Sequence, residues 1–118
     1  YFRSSTAYRV RIALHLKNIA HEIVPVNIAA GAQNEAAYKD INPMEAVPLL
    51  EHDGFRLTQS LAILNYLDNI APAPPLAPED VKEQAYVRQI ALAIATDIHP
   101  LTNLRVLKYL GADEAKKK

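Results

Sequence analysis

An α/β domain followed by the beginning of an all-α domain is predicted by three features of the sequence. Residues 1–71 alternate between short β-like runs and amphipathic helical patterns, which is typical of α/β folds. Residues 72–78 hold four of the eight prolines and predict a stiff linker. Residues 79–118 carry only helical periodicity, and so few helices cannot enclose a core. We therefore interpret them as the incomplete start of a helical domain.

The composition of the 118-residue chain excludes several classes of function. Half of the residues are hydrophobic and the net charge is zero, so a core is expected but a basic face for nucleic acid is not. No apolar run is long enough to span a bilayer. The absence of cysteine excludes disulfides and a cysteine nucleophile. Because the histidines lack metal-ligand spacing, we expect no metal. The lack of an apolar run predicts no membrane partner, and the lack of cysteine agrees with a cytoplasmic location.

The first half of the α/β region predicts a strand, a helix, a second strand and a short helix. Residues 1–2 are typical of a strand end, and residues 8–16 show apolar side chains at helical spacing. Asn18 is expected to mark the end of this helix. Residues 22–28 predict a second strand, parallel to the first, in which Pro25 indicates an edge or a bulge. Residues 34–40 predict a short helix that the following Asn-Pro pair ends.

The second half predicts a hairpin and a second amphipathic helix. Residues 47–51 and 55–57 are expected to pair as antiparallel strands around an Asp-Gly turn. Thr58 is the expected N-cap of the next helix, with Ser60 in its first turn. Beyond the linker, a longer helix starts near residue 79 and kinks at Pro100. The helical pattern then continues to a glycine stop at residue 111, followed by a charged end at residues 113–118.

Three hydroxyl groups precede the first helix. Ser4, Ser5 and Thr6 are expected to fill the loop there, flanked by Arg3. The first N–H groups of a helix lack internal partners and carry partial positive charge, so they suit an anion. One serine that acts only as an N-cap is the simpler alternative.

The predicted element order and one proline match the thioredoxin fold. Its order is β-α-β-α-β-β-α, and Pro48 opens the third strand where that fold usually has a cis proline. The backbone of Val47 would then face outward and could pair with an extended peptide. The alternative is an ordinary proline of an edge strand. Gln59 and Ser60, at the next helix start, are either a second anion site or a cap.

Two helix N-termini and the strand edge between them together fit glutathione, a small peptide anion that bears a thiol. The thiol would meet Ser4 and Ser5, the cysteinyl backbone would pair with Val47, and the γ-glutamyl carboxylate would reach Ser60. A free thiol has a pKa of about 8.5 and is mostly protonated at neutral pH. Hydroxyl donors and a helix N-terminus favour the thiolate, which is the nucleophilic form.

The sequence resembles the zeta class of glutathione transferases, which includes maleylacetoacetate isomerase and bacterial maleylpyruvate isomerase. The Ser-Ser-x-x-x-Arg-Val-Arg-Ile-Ala-Leu block is the specific signature of that class. The segments that carry the resemblance are YFRSSTAYRVRIALHLKN, VPVN, INPMEAVPLLEHDG, QSLAILNYLD and DIHPLTNLRVLKYLG. They cover nearly all of this chain and about the first half of a typical member, which has a thioredoxin-like N-terminal domain and an all-helical C-terminal domain.

The resemblance implies a role for each matching residue. Arg3 and Arg105 would clamp a small dicarboxylate substrate, because guanidinium binds carboxylates bidentately. His99 would close over the site from the helical domain, or else cap or pack at the proline kink. Thr6 departs from the pattern, because many members have cysteine there. The residues that would contact glutathione are Ser4, the thiol-activating serine, with Ser5, Gln33, Val47, Pro48, Gln59, Ser60, His99 and Asn103.

The implied activity is a glutathione-dependent isomerisation of maleylacetoacetate or maleylpyruvate to the fumaryl isomer, in the degradation of aromatic amino acids or other aromatic compounds. The resemblance also implies a homodimer. One alternative is a transferase that conjugates or dehalogenates small halo-acids and consumes glutathione. A second alternative is a binding module without catalysis.

Overall fold

A computed structural model of the chain describes residues 1–111. The chain divides into two compact units, Tyr1–Leu76 and Ala77–Lys118. The division falls within the proline-rich stretch.

The first unit consists of three α-helices and one hairpin. The helices are α1 (Ser5–Leu16), α2 (Ala36–Ile41) and α3 (Ser60–Ile70), with a short 3₁₀ turn, Ala32–Asn34, before α2. The strands are β1 (Leu49–His52) and β2 (Phe55–Thr58).

Helix α1 begins at Ser5, three residues before the apolar pattern that starts at residue 8. Ser4 is the N-cap, and its hydroxyl accepts a hydrogen bond from the amide of Ala7. Ser5 and Thr6 therefore lie in the first helical turn, which corrects their expected place in a loop. Asn18 follows the helix with a φ of 51°, a left-handed conformation that asparagine tolerates and that ends helices. The predicted stop at Asn18 is confirmed.

The hairpin is antiparallel, with Leu49 opposite Thr58 and His52 opposite Phe55. Both turn residues, Asp53 and Gly54, have positive φ, as a two-residue turn that matches strand twist requires. The turn and the strand pair were predicted correctly, although β1 begins only after Pro48. The prediction that Thr58 is the N-cap of the next helix was wrong, because Thr58 is the last residue of β2.

The two strands predicted near the start of the chain do not form. Tyr1 and Phe2 belong to a turn in which the amide of Ser4 donates to the carbonyl of Tyr1 at 3.2 Å. Residues 22–28 are irregular apart from the start of a turn at Ile28, and within residues 1–111 the sheet has only the two hairpin strands. A parallel strand needs a neighbour for its backbone groups, and Pro25 offers no N–H. Apolar alternation alone therefore did not make a strand.

The core of the first unit is the contact between α1 and α3. Val10, Ala13 and Leu14 face Ile63 and Leu67, and all five are buried. Full burial of a side chain such as Ile63 or Leu67 contributes about 1.5–3 kcal/mol. This packing fixes the N-terminal ends of α1 and α3 relative to each other.

A buried lysine connects the end of α1 to the proline-rich stretch. The ammonium of Lys17 donates to the carbonyls of Ala71 at 2.6 Å and Pro74 at 2.8 Å, and it lies 2.7 Å from a carboxylate oxygen of Asp68. The same carboxylate accepts the amide of Leu76 at 3.0 Å. Residues 71–76 are thus attached to the first unit.

The second unit is helical throughout its described length. It contains α4 (Val81–Leu92), a π-helical segment (Ala93–Ile98), a 3₁₀ segment (His99–Thr102) and α5 (Leu104–Tyr109). The expected break at Pro100 and the helix end at Gly111, where φ is 61°, are confirmed. The charged end at residues 113–118 lies outside the described residues. No helix within residues 1–111 is both long and apolar enough to cross a membrane.

Candidate active site

Ser4 lies at the N-terminus of a twelve-residue helix. Its hydroxyl is half-buried, accepts the amide of Ala7 at 3.2 Å and lies 2.9 Å from the hydroxyl of Thr6. The partial positive charge of the helix end is concentrated at these first amides. Ser4 is therefore the cap of α1, and a group bound beside it would also experience the helix dipole.

Thr6 connects this helix end to the loop before β1. Its hydroxyl donates to the carbonyl of Val47 at 2.9 Å. The Val47–Pro48 peptide bond is cis, as the thioredoxin interpretation predicts. The Val47 backbone was expected to face outward for a peptide, and the structure adds that its carbonyl already accepts the hydroxyl of Thr6. A carbonyl oxygen has two lone pairs, so one remains for a peptide N–H.

Two side chains from the α2 region hold the same loop. The hydroxyl of Tyr38 donates to the carbonyl of Ala46 at 2.7 Å, and the amide of Asn42 donates to that oxygen at 2.6 Å. Burial raises the pKa of Tyr38, although a side-chain hydrogen bond with Asn42 opposes the shift. The hydroxyl thus stays a donor, and the backbone around Val47 is anchored on both sides.

Ser60 is the first residue of α3 and is buried, with 6% of its surface exposed. Its hydroxyl accepts a hydrogen bond from the guanidinium of Arg9 at 3.2 Å. Within residues 1–111, no carboxylate forms an ion pair with Arg9. This end of α3 therefore combines a helix dipole with a nearby cation, which suits a carboxylate.

Gln59 precedes Ser60 in a left-handed conformation, with a φ of 67° and an exposed side chain. A non-glycine residue with positive φ is uncommon and is most frequent at turns and functional sites. The hairpin register pairs Leu49 with Thr58, so Gln59 follows the strand position opposite the residue after Pro48. The strand edge and the start of α3 are therefore neighbours.

Hydrogen bonds connect some of the predicted site residues of the first unit, while for others the structure gives only their exposure or burial. Ser4 and Val47 are joined through Thr6, and Ser60 is joined to α1 through Arg9. Arg3 and Ser5 are exposed beside Ser4. The side-chain oxygen of Gln33 is buried and has no hydrogen-bond partner among the described residues.

The predicted site residues of the second unit are described only within that unit. The side-chain oxygen of Asn103 caps α5 by accepting the amide of Arg105 at 3.0 Å, and Arg105 is exposed. His99 begins the 3₁₀ segment before Pro100. Their roles toward substrate and glutathione remain predictions.

Arg9 was missed by the sequence reasoning, which gave functional roles only to the arginines at positions 3 and 105. Its importance depends on the packing of α1 against α3, and no local motif announces that packing. The available signal is that Arg9 is the first arginine of the Ser-Ser-x-x-x-Arg-Val-Arg block.

The assembled groups fit glutathione by their chemistry. Ser4 offers a hydroxyl at a helix N-terminus for the thiol, Val47 offers backbone groups for a peptide, and Ser60 with Arg9 offers donors and charge for a carboxylate. The buried oxygen of Gln33 is an acceptor for an ammonium or amide. No group of three or more His, Asp or Glu within residues 1–111 could hold a metal ion.

Comparisons with known proteins agree with this fit. Residues 1–69 match the family described as glutathione S-transferase, N-terminal domain. The chain is 50% identical over 115 residues to maleylacetoacetate isomerase of Rattus norvegicus, which covers 96% of the chain and 53% of that protein. It is 48% identical over 114 residues to a probable maleylacetoacetate isomerase of Vibrio cholerae, which covers 95% and 53% respectively. The chain thus spans about half the length of these curated relatives.

Solved structures give the same result. A holo structure of maleyl pyruvate isomerase, a bacterial zeta-class glutathione S-transferase, superposes with a TM-score of 0.93 at 39% identity, over 98% of this chain and 57% of that one. Maleylacetoacetate isomerase of Methylobacterium extorquens AM1, solved with bound malonate and glutathione, superposes with a TM-score of 0.90 at 43% identity, over 98% and 56%.

Proposed function

The chain belongs to the glutathione S-transferase family, in its zeta class, and from this membership we propose that the protein is a glutathione-dependent cis–trans isomerase of maleyl compounds. Its substrate is maleylacetoacetate or maleylpyruvate, an intermediate in the degradation of aromatic compounds, and its product is the fumaryl isomer. The names of the relatives support this choice. The observation that carries it is the hydroxyl chain from Ser4 through Thr6 to Val47. We also propose a cytoplasmic homodimer, on the basis of the family resemblance.

Ser4 stabilises the ionised thiol of the cofactor. Its hydroxyl donates a hydrogen bond to sulfur, and the N-terminus of α1 adds favourable electrostatic potential. When bound, glutathione supplies a thiolate that adds reversibly to the cis double bond, which then rotates as a single bond before the thiolate is eliminated. Ser4 thus favours the reactive protonation state of the thiol without itself forming a covalent bond.

The remaining residues of the first unit hold the peptide in place. The backbone N–H and C=O of Val47 pair with the cysteinyl residue, in the manner of an added strand. Ser60, the amides at the start of α3 and the charge of Arg9 bind the γ-glutamyl carboxylate. Gln59 also contacts glutathione, and the buried oxygen of Gln33 accepts a hydrogen bond from an ammonium or amide group of it.

Arg3 and Arg105 bind the carboxylates of the substrate and stabilise the negative charge that develops when the double bond is attacked. Both guanidinium groups are on exposed side chains, and a guanidinium can bind a carboxylate through two parallel hydrogen bonds. The family resemblance also assigns His99 and Asn103 to the glutathione site, and we keep both in this proposal.

Incubation of the full-length protein with maleylpyruvate or maleylacetoacetate and substoichiometric glutathione tests this function. We expect loss of the cis-enone absorbance with no net loss of glutathione. Ser4→Ala is expected to lower kcat/KM by about 10²–10³-fold, the usual effect of removing one donor to a developing charge. Thr96→Val, which removes an exposed hydroxyl on the helical unit, is the control.

Other outcomes identify the alternatives. Glutathione consumed in proportion to a halo-acid, without isomerisation, would establish a conjugating or dehalogenating transferase. Glutathione binding without turnover of either class of compound would establish a binding module.

A further inference from the structure

Thr6 lies between the two parts of the site and forms a hydrogen bond with each. Its oxygen is 2.9 Å from that of Ser4, and its hydroxyl donates to the carbonyl of Val47 at 2.9 Å. A threonine hydroxyl has one proton, and a carbonyl oxygen can only accept. The proton of Thr6 is therefore committed to Val47, so Ser4 must be the donor in the bond between the two hydroxyls.

This count of protons fixes which group donates in each hydrogen bond between Ala7 and Val47. The amide of Ala7 donates to Ser4, Ser4 donates to Thr6, and Thr6 donates to Val47. In this order the single proton of Ser4 points at Thr6. A thiolate bound beside Ser4 needs that same proton, so the hydroxyl groups of Ser4 and Thr6 must reorient when glutathione binds.

We propose that Thr6 is a positioning residue that couples the thiol site at Ser4 to the peptide-docking edge at Val47. A peptide N–H that pairs with Val47 takes the second lone pair of the oxygen to which Thr6 donates, and the bond from Thr6 becomes weaker because one oxygen then serves two donors. Thr6 then turns its proton to the oxygen of Ser4, and Ser4 directs its own proton to the sulfur. Stabilisation of the thiolate thus depends on docking of the peptide backbone, which favours a peptide thiol over a simple thiol. This inference rests on the proposed use of glutathione.

The pKa of the thiol of bound glutathione measures this coupling directly. It is read from the ultraviolet absorbance of the thiolate as the full-length protein with glutathione is titrated. Thr6→Val keeps the shape of the side chain but removes its hydroxyl, and we expect it to raise this pKa by about one unit, a tenfold loss of thiolate on the acid side of the titration. Thr6→Ser should restore the thiolate fraction to within about twofold. Thr96→Val, at an exposed threonine, should have no effect.

A double-mutant cycle separates coupling from independent effects. In a Ser4→Ala background, Thr6→Val should not change the thiol pKa further, because the hydroxyl through which Thr6 acts is gone. An unchanged or lowered pKa in the single Thr6→Val variant, with glutathione still bound, would overturn the proposal. So would an equal effect in both backgrounds.

Unfolding of the same variants without glutathione keeps the test independent of the proposed function. We expect Thr6→Val to raise the unfolding equilibrium constant about fivefold in the parent protein but less than twofold with Ser4→Ala. Equal effects in the two backgrounds would refute the link between Thr6 and Ser4. Failure of the full-length protein to bind glutathione would refute the proposed function, while this cycle would still decide the link.

Discussion

The ammonium nitrogen of Lys17 lies 2.7 Å from the carboxylate of Asp68, and the Lys17 side chain is completely buried. A buried cation is tolerated only when it is paired and hydrogen-bonded, and Lys17 also has two carbonyl partners, Ala71 and Pro74. This cluster joins α1, the end of α3 and the stretch that follows α3.

Lys17→Met should destabilise the protein by about 2–3 kcal/mol, because two carbonyls and a carboxylate lose their donor while the apolar stem is kept. The change in the free energy of unfolding can be measured by urea denaturation. Lys82→Met makes the same chemical change at an exposed position of α4 and is the control. A loss at Lys17 no larger than at Lys82 would show that the cluster does not stabilise the fold.

Asp68 should make stability dependent on pH in the acid range. Burial raises the pKa of this carboxyl, but the hydrogen bonds from Lys17 and Leu76 and the charge of Lys17 outweigh it, so the pKa lies below its usual value of 3.8. The unfolded chain then binds a proton more readily than the folded chain. The contribution of Asp68 is therefore present above about pH 4 and is lost as the pH falls through the lowered folded-state pKa.

Asp68→Asn tests this dependence. We expect the difference in unfolding free energy between parent and variant to be clear at about pH 7 and to shrink at about pH 3. Asp40→Asn, at an exposed position, controls for the change in net charge. A difference that stays constant between the two pH values would contradict the assignment.

Arg9→Gln should weaken the capture of glutathione more than the chemical step. The variant loses the charge next to Ser60, and we expect the KM for glutathione to rise about tenfold while kcat stays within about twofold. Arg88→Gln, at an exposed position of α4, is the matched control. A fall in kcat at unchanged KM would instead place Arg9 in the reaction itself.

Gly54→Ala should destabilise the hairpin by about 1–2 kcal/mol, since residue 54 has a φ of 79° and side chains with a Cβ resist that conformation. A Cβ there would meet no atom within 4 Å, so the cost is conformational and not a clash. Gly54→Asn should cost less, because asparagine tolerates the left-handed region. Equal losses for the two substitutions, measured by urea denaturation, would contradict this explanation.

Local signals predicted most of the fold. The Asp-Gly turn, the stop at Asn18 and the break at Pro100 act over a few residues, and each was confirmed. The thioredoxin-like class of the first domain is confirmed by the family match over residues 1–69. The strand expected at residues 22–28 failed because a strand depends on a partner elsewhere in the chain, and alternation of apolar residues does not supply one.

Sequence reasoning could propose candidate site residues from local chemistry, but it could not find the contacts that depend on packing. Ser4, Pro48 and Ser60 follow from helix starts and from one proline. The bond from Arg9 to Ser60 spans 51 positions, and that from Thr6 to Val47 spans 41, so both exist only because distant segments meet. Such bonds leave no spacing signature in the sequence.

The attachment of residues 71–76 to the first unit determines where the chain can be cut. Leu76 packs against the core, and its amide is held by Asp68, although it belongs to no helix or strand. A fragment that ends after α3 would lack residues 71–76, and one side of the Lys17 ammonium would then face solvent. The shortest fragment of the first unit that keeps Lys17 buried therefore ends after Leu76.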